Sequence, residues 1–216
     1  MDTQLAAQQQ PAVIRVLAKI ISYVLHPLFI PTYVFIWLII RFPYEFNIPL
    51  TPLKLRVFTV FWTSAFFPAF TVFLLWRLKF ISGIYLRNQK DRIIPYVATM
   101  FFYWWLWYLS RNFTDQPIAI KSFFLGIFLS TVAGLTINNF LKISMHAMGV
   151  AGAWLFMIIT CFHYSIHLGL DLSIATLIMG LVCSARLSLS EHSTVEIYLG
   201  LAVGAICQLI AAYFVF

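Results

Sequence analysis

Long apolar runs recur from residue 12 to the end of the chain, and only short polar stretches separate them. Several reach the roughly 20 residues that a membrane-crossing helix needs. In lipid every backbone N–H and C=O must be satisfied by the chain itself, which leaves helices and closed barrels. Barrel strands would alternate polar and apolar residues, and these runs do not. The expected fold is all-α: a polytopic membrane helical bundle with six or seven transmembrane helices. Charge agrees, since 10% of the 216 residues are charged, against about 25% in a soluble domain.

Apolar length between charges predicts spans within 12–41, 56–78, 93–110, 118–141, 147–167, 170–185 and 195–216. The first contains His26-Pro27 and Pro31, so a kink or break is expected there. The third is short for a crossing. Residues 1–11 are expected to form a disordered, Gln-rich tail, and 12–216 a single transmembrane domain. No basic n-region or small-residue cleavage site marks a signal peptide. Trp76, Trp104, Trp105 and Trp107 fit an interfacial aromatic belt. Glycines in 126–152 and 180–204 fit close helix packing. The net charge of +7 fits loop anchoring and attraction to anionic lipid headgroups. Nucleic acid is not an expected partner, because the basic residues are scattered among spans. Cys161, Cys183 and Cys207 lie inside apolar runs and read as core residues, not as a disulfide framework.

Three polar stretches stand out at span edges. They are Arg87-Asn88-Gln89-Lys90-Asp91-Arg92, Lys142-Ile143-Ser144-Met145-His146, and Arg186 followed by His192 and Glu196. Ionisable residues at membrane depth are costly and point to function. Two spans separate each stretch from the next, so all three can meet on one side of the bilayer. Arg87, Lys90, Arg92 and Arg186 are suppliers of positive charge for a phosphoryl group, whose negative charge spreads over its oxygens in transfer. The guanidinium fork pairs those oxygens two at a time. His192 and Glu196, four apart, share a helix face. That makes His192 the candidate nucleophile, with Glu196 orienting its imidazole. His146 is then the candidate general acid. Taken alone, each stretch also reads as an ordinary interfacial charge cluster.

These residues resemble the type 2 phosphatidic acid phosphatase superfamily, which includes lipid phosphatases and vanadium haloperoxidases. The family carries K-x6-R-P, then P-S-G-H, then S-R-x5-H-x3-D. Arg186, His192 and Glu196 match the spacing of the third motif, with Ala185 for its Ser and Glu196 for its Asp. Ser144-Met145-His146 is similar to the second, with Ile143 for Pro and Met145 for Gly. The first is the loosest, since Tyr85 stands where the family has Lys and Pro95 follows Arg92 only after two residues. The resemblance covers roughly residues 87–196. It implies a metal-independent phosphatase without a cofactor, a helical bundle, and a phosphate site at the membrane surface that includes Ser144. It also implies an extracytoplasmic site, in a cell inner membrane.

A second constellation follows span five: His163, His167 and Asp171, at i, i+4 and i+8. Two histidines with a carboxylate can ligate zinc, although interfacial histidines without metal are common. By the same parity this trio lies on the opposite side from the phosphate stretches.

The expected function is hydrolysis of a lipid phosphate or diphosphate, with membrane lipids as the other partners. The alternatives are a non-catalytic protein binding anionic lipid, and a small channel or transporter. Charge does not settle sidedness. With seven spans, nine basic residues fall on the site face and five on the other. Setting aside Arg87, Lys90, Arg92, Lys142 and Arg186 leaves four against five, and the positive-inside rule has nothing to act on.

Overall fold

In a computed structural model, which describes residues 10–84 and 89–216, the protein is a helical bundle. We number its helices α1 (Ala12–Val24), α2 (Ile30–Arg41), α3 (Leu50–Arg77), α4 (Gln89–Asn112), α5 (Ile118–Asn138), α6 (Met145–His163), α7 (Gly169–Ser188) and α8 (Thr194–Val215). The described residues contain no strand. Five helices, α3 and α5 to α8, are long and apolar enough to cross a membrane, and α2 is a shorter apolar helix. Large apolar side chains cover the outer faces, among them Phe73, Leu177, Tyr213 and Phe214. Such faces suit lipid, where hydrocarbon is the solvent.

Several boundaries differ from those read off the apolar runs, each for a local reason. The run 12–41 is two helices, broken between Val24 and Ile30 where Pro27 withholds its N–H. α3 starts at Leu50, taking Lys54 and Arg56 into its first turns. Arg56 is neutralised there by Asp115, 2.7 Å away, and lies over the Phe113 ring. A π turn at Trp62–Phe66 precedes Pro68, a place where an extra residue per turn accommodates the missing donor. α4 is one continuous helix of 24 residues, because the polar stretch from Gln89 winds into it ahead of Pro95. α5 ends at Asn138, whose amide donates to Gln89 O at 3.0 Å while the Gln89 amide donates to Asn138 O. α6 ends at His163, and Ser165 takes a left-handed φ of 54° just beyond it.

Two packing features decide where the polar stretches go. Phe35, Leu38, Phe42, Ile120, Phe123, Phe156 and Val182 form a buried core linking α2, α5, α6 and α7. On the other side of α6, helix α8 approaches it almost backbone to backbone. Gly200 and Gly204 make this possible. A Cβ at Gly200 would sit 2.8 Å from Ser144 O, and one at Gly204 would overlap Met148 O. Small residues four apart let two helices close in this way. The result seats the start of α8, which carries Glu196, against the start of α6, and Ser144 N donates to Glu196 O at 3.4 Å.

Candidate functional site

Five of the residues singled out in the sequence meet at one end of the bundle. Arg92 belongs to the first turn of α4, Lys142 to the α5–α6 loop, Arg186 to the last turn of α7, His192 to the α7–α8 loop and Glu196 to the first turn of α8. His192 is buried, and its Nδ1 lies 2.8 Å from Glu196 Oε2. The same oxygen accepts from Ser193 N at 3.2 Å, while Ser193 Oγ accepts from Glu196 N at 3.3 Å. This is a capping box, a reciprocal pair that satisfies free N–H groups at a helix start. Glu196 thus has two tasks, ending the loop and holding the imidazole.

Three cations surround that imidazole. Arg92 is 5% exposed and donates to Ile143 O at 3.4 Å. Lys142 Nζ donates to Glu191 O at 3.0 Å. Arg186 is 3.9 Å from the Glu191 carboxylate and 3.5 Å from Ser22 Oγ. Burial, and then the charges of Arg186, Arg92 and Lys142, push the His192 pKa down to about 3, with the Lys142 carbonyl acting in the opposite sense. The imidazole is neutral at neutral pH. With Nδ1–H directed at Glu196, the lone pair of a neutral ring is on Nε2. Burial, then Arg92, also lowers the Lys142 pKa.

The other residues fare differently. His146, at the start of α6, is buried, with Nε2 3.1 Å from Ser22 O and its ring 5.1 Å from that of His26. It is close enough to His192 to interact electrostatically. Ser144 is fully buried and caps α6, accepting from Ala147 N at 3.4 Å. Its hydroxyl is occupied by the helix terminus, a task the phosphate assignment did not foresee. Lys90 is exposed on the first turn of α4. Arg87 lies outside the described residues.

The second constellation is not assembled. His167 would share a face with His163 only if α6 continued, and the helix stops at His163. His163 stacks on Phe216 at 4.1 Å. Asp171 is held by Arg41 at 2.6 and 2.7 Å and by Trp37 Nε1 at 2.7 Å. Among the described residues, no three His, Cys, Asp or Glu side chains are grouped to hold a metal.

Beside the cationic cluster lies a cavity of about 380 Å³, walled by α3, α4, α5, α6, α8 and the α1–α2 break. Its lining is mainly apolar, with Arg92, Tyr96 and His26 among its polar groups. Arg92 therefore belongs both to this cavity and to the surroundings of His192.

Sequence reasoning passed over four of these groups. Glu191 and Ser22 carry no pattern that announces them. The capping box was readable, since Ser193-Thr194-Val195-Glu196 is S-x-x-E ahead of an apolar run. Tyr96 was also within reach, one helical turn after Arg92. No family model matches this chain, and no curated protein or solved structure matches it either.

Proposed function

We propose that this protein is a membrane-embedded hydrolase of lipid phosphates or diphosphates that works through a phosphohistidine at His192. The observation that carries the reading is the environment of that ring. A neutral imidazole, held through Nδ1 by Glu196, stands among Arg92, Lys142 and Arg186. Cations fixed in a site of restricted solvent stabilise charge developing on phosphoryl oxygens.

In this reading His192 Nε2 attacks phosphorus, and the bond from phosphorus to the leaving oxygen breaks. The leaving oxygen takes a proton. Water then cleaves the N–P bond, releasing inorganic phosphate and restoring the imidazole. His146 is the proposed proton donor. With its Nε2–H directed at the Ser22 carbonyl, a neutral ring delivers that proton from Nε2 when the contact to Ser22 opens. Arg186 and Arg92 hold the phosphoryl oxygens, with the exposed Lys90 available to an approaching headgroup. No step requires a metal.

The chain is read as crossing the bilayer six or seven times. At about 1.5 Å per residue, α4 is ~36 Å long, enough for a core of ~30 Å, and joins the five apolar helices. α1 and α2 make a broken crossing. An extracytoplasmic site in a cell inner membrane is part of the same reading.

The test is phosphate release by purified protein in lipid nanodiscs, from lysophosphatidate, phosphatidate and an isoprenyl diphosphate, with a chelator present. Release blocked by vanadate supports the proposal. A second reading, a non-catalytic protein that binds anionic lipid, is favoured by the capping role of Ser144. Tight binding with no release from any of the three substrates would establish it instead.

A further inference from the structure

The cavity has a length as well as a volume. Along α4 it is lined by Arg92, Pro95, Tyr96, Thr99 and Tyr103, eleven residues from first to last. At 1.5 Å per residue that is about 16 Å.

Among the described residues, its one charged group and its histidine stand at the same end, while Thr99, Ser130, Thr131 and Gln208 bring neutral polar atoms to the rest of a mainly apolar wall. Arg92 interacts with the groups around His192, and His26 packs on His146, so both stand beside the cationic cluster. His26 Nδ1 accepts from Leu28 N–H at 3.3 Å. A neutral His26 ring therefore carries its proton on Nε2 and is a donor there. Tyr96 is 3% exposed, and its hydroxyl has no hydrogen-bond partner among the described residues. A buried hydroxyl left unpaired is costly, and this one belongs to a side chain on the cavity wall. The remaining lining includes Val72, Tyr103 and Ile127. An apolar slot with a few convergent polar groups is the usual form of a ligand site.

We propose that this cavity binds the hydrocarbon chain of a lipid with an anionic phosphorus headgroup, the chain lying along α4 and the head held by Arg92, Tyr96 and His26. The headgroup assignment rests on the phosphatase reading, and the chain assignment on the cavity alone. His26 and Tyr96 thereby become headgroup contacts.

The test uses the full-length protein in nanodiscs and a dodecyl phosphonate carrying a diazirine at the chain end. Its carbon–phosphorus bond leaves no ester to cleave, so labelling does not depend on turnover. Illumination and peptide mapping should place adducts at the Tyr103 and Ile127 end of the cavity. Unlabelled dodecyl phosphonate should compete, and dodecanol should compete about tenfold less well. Tyr96→Phe and His26→Ala should each weaken labelling by about tenfold, as loss of a hydrogen bond to a charged group does. Ala69→Phe should block the slot, and Thr99→Trp serves if that variant does not fold. Adducts confined to outer residues such as Leu177 and Tyr213, or labelling indifferent to both blocking variants, would overturn the site. Equal competition by dodecanol would overturn the headgroup contacts. Labelling lost while phosphate release continues rejects the cavity alone, and labelling without release rejects the phosphatase reading alone.

Discussion

The two ends of the bundle use charge in opposite ways. At the end away from His192, two cations each meet a carboxylate, and Arg111 lies over the Trp107 ring. Arg41 grips Asp171 through two nitrogens, with Trp37 completing the set, and Arg56 pairs with Asp115. These contacts tie α2 to α7 and α3 to the α4–α5 loop. At the His192 end, Arg92, Lys142 and Arg186 converge with Glu191 and Glu196, and Glu196 is already committed to His192 and Ser193 N. Among the described residues that places three cations beside two carboxylates, with Arg92 buried. Paired charges fasten helices, whereas the proposed function gives the second cluster an anion to receive.

The comparison breaks most directly at His192. His192→Ala should lower phosphate release by at least ~1000-fold, about 4 kcal/mol of barrier, in a protein that still elutes as a folded species. Retention of more than a tenth of wild-type turnover would remove His192 as nucleophile. Arg186→Lys should cost ~10–100-fold on lipid and aryl phosphates alike, because a point charge does not reproduce the forked contact. Steady-state rates on both substrates read this out, and a loss confined to one of them contradicts it. Glu196→Gln separates the two tasks of that residue. Glutamine still completes a capping box, so melting should shift little while turnover falls ~10-fold through loss of the charge that orients the imidazole.

Acid sharpens the contrast. The pKa of His192, about 3, lies below its ordinary value of 6.5, so folding resists its protonation. Its contribution to stability is complete above 6.5 and is lost as pH falls from there towards 3. Wild type should therefore lose more melting temperature than His192→Gln across that interval, and parallel curves would contradict the buried neutral ring. Asp115, at the opposite end, has its pKa lowered from 3.8, first by its hydrogen bond from Arg56. Its contribution persists above 3.8 and falls away only in stronger acid. The smallest effect belongs to that end: Asp171→Asn should leave phosphate release within ~2-fold of wild type, since loss of a distant ion pair acts on stability. A larger loss of rate would mean the two ends are coupled.

The helical membrane architecture was legible because hydrophobic length reports spans directly, and five of them stand as apolar helices. The termini were less so. Lys54 and Arg56 look like the end of a span until Asp115, 59 residues from Arg56, is seen to neutralise one of them. Spacing joined His192 to Glu196, because residues four apart lie on one face. Spacing also joined His163 to His167 wrongly, because the left-handed turn at Ser165 interrupts the face. His26 and Ser22 were illegible for a different reason. Their importance comes from α6 and α7, more than a hundred residues away, and no local pattern encodes such contacts.

Those same contacts set an order of assembly. Ser22 touches His146 and Arg186, the latter 164 residues downstream. At ~5–20 residues per second, a ribosome needs about 8–30 s to travel between them. For that interval the first helix has entered the translocation machinery without the surfaces it will rest on. The pocket beside it has no floor until α6 emerges and no cation from α7 until later still. A chain interrupted before α8 lacks His192's partner Glu196 as well. Only the finished polypeptide therefore presents the complete set of groups.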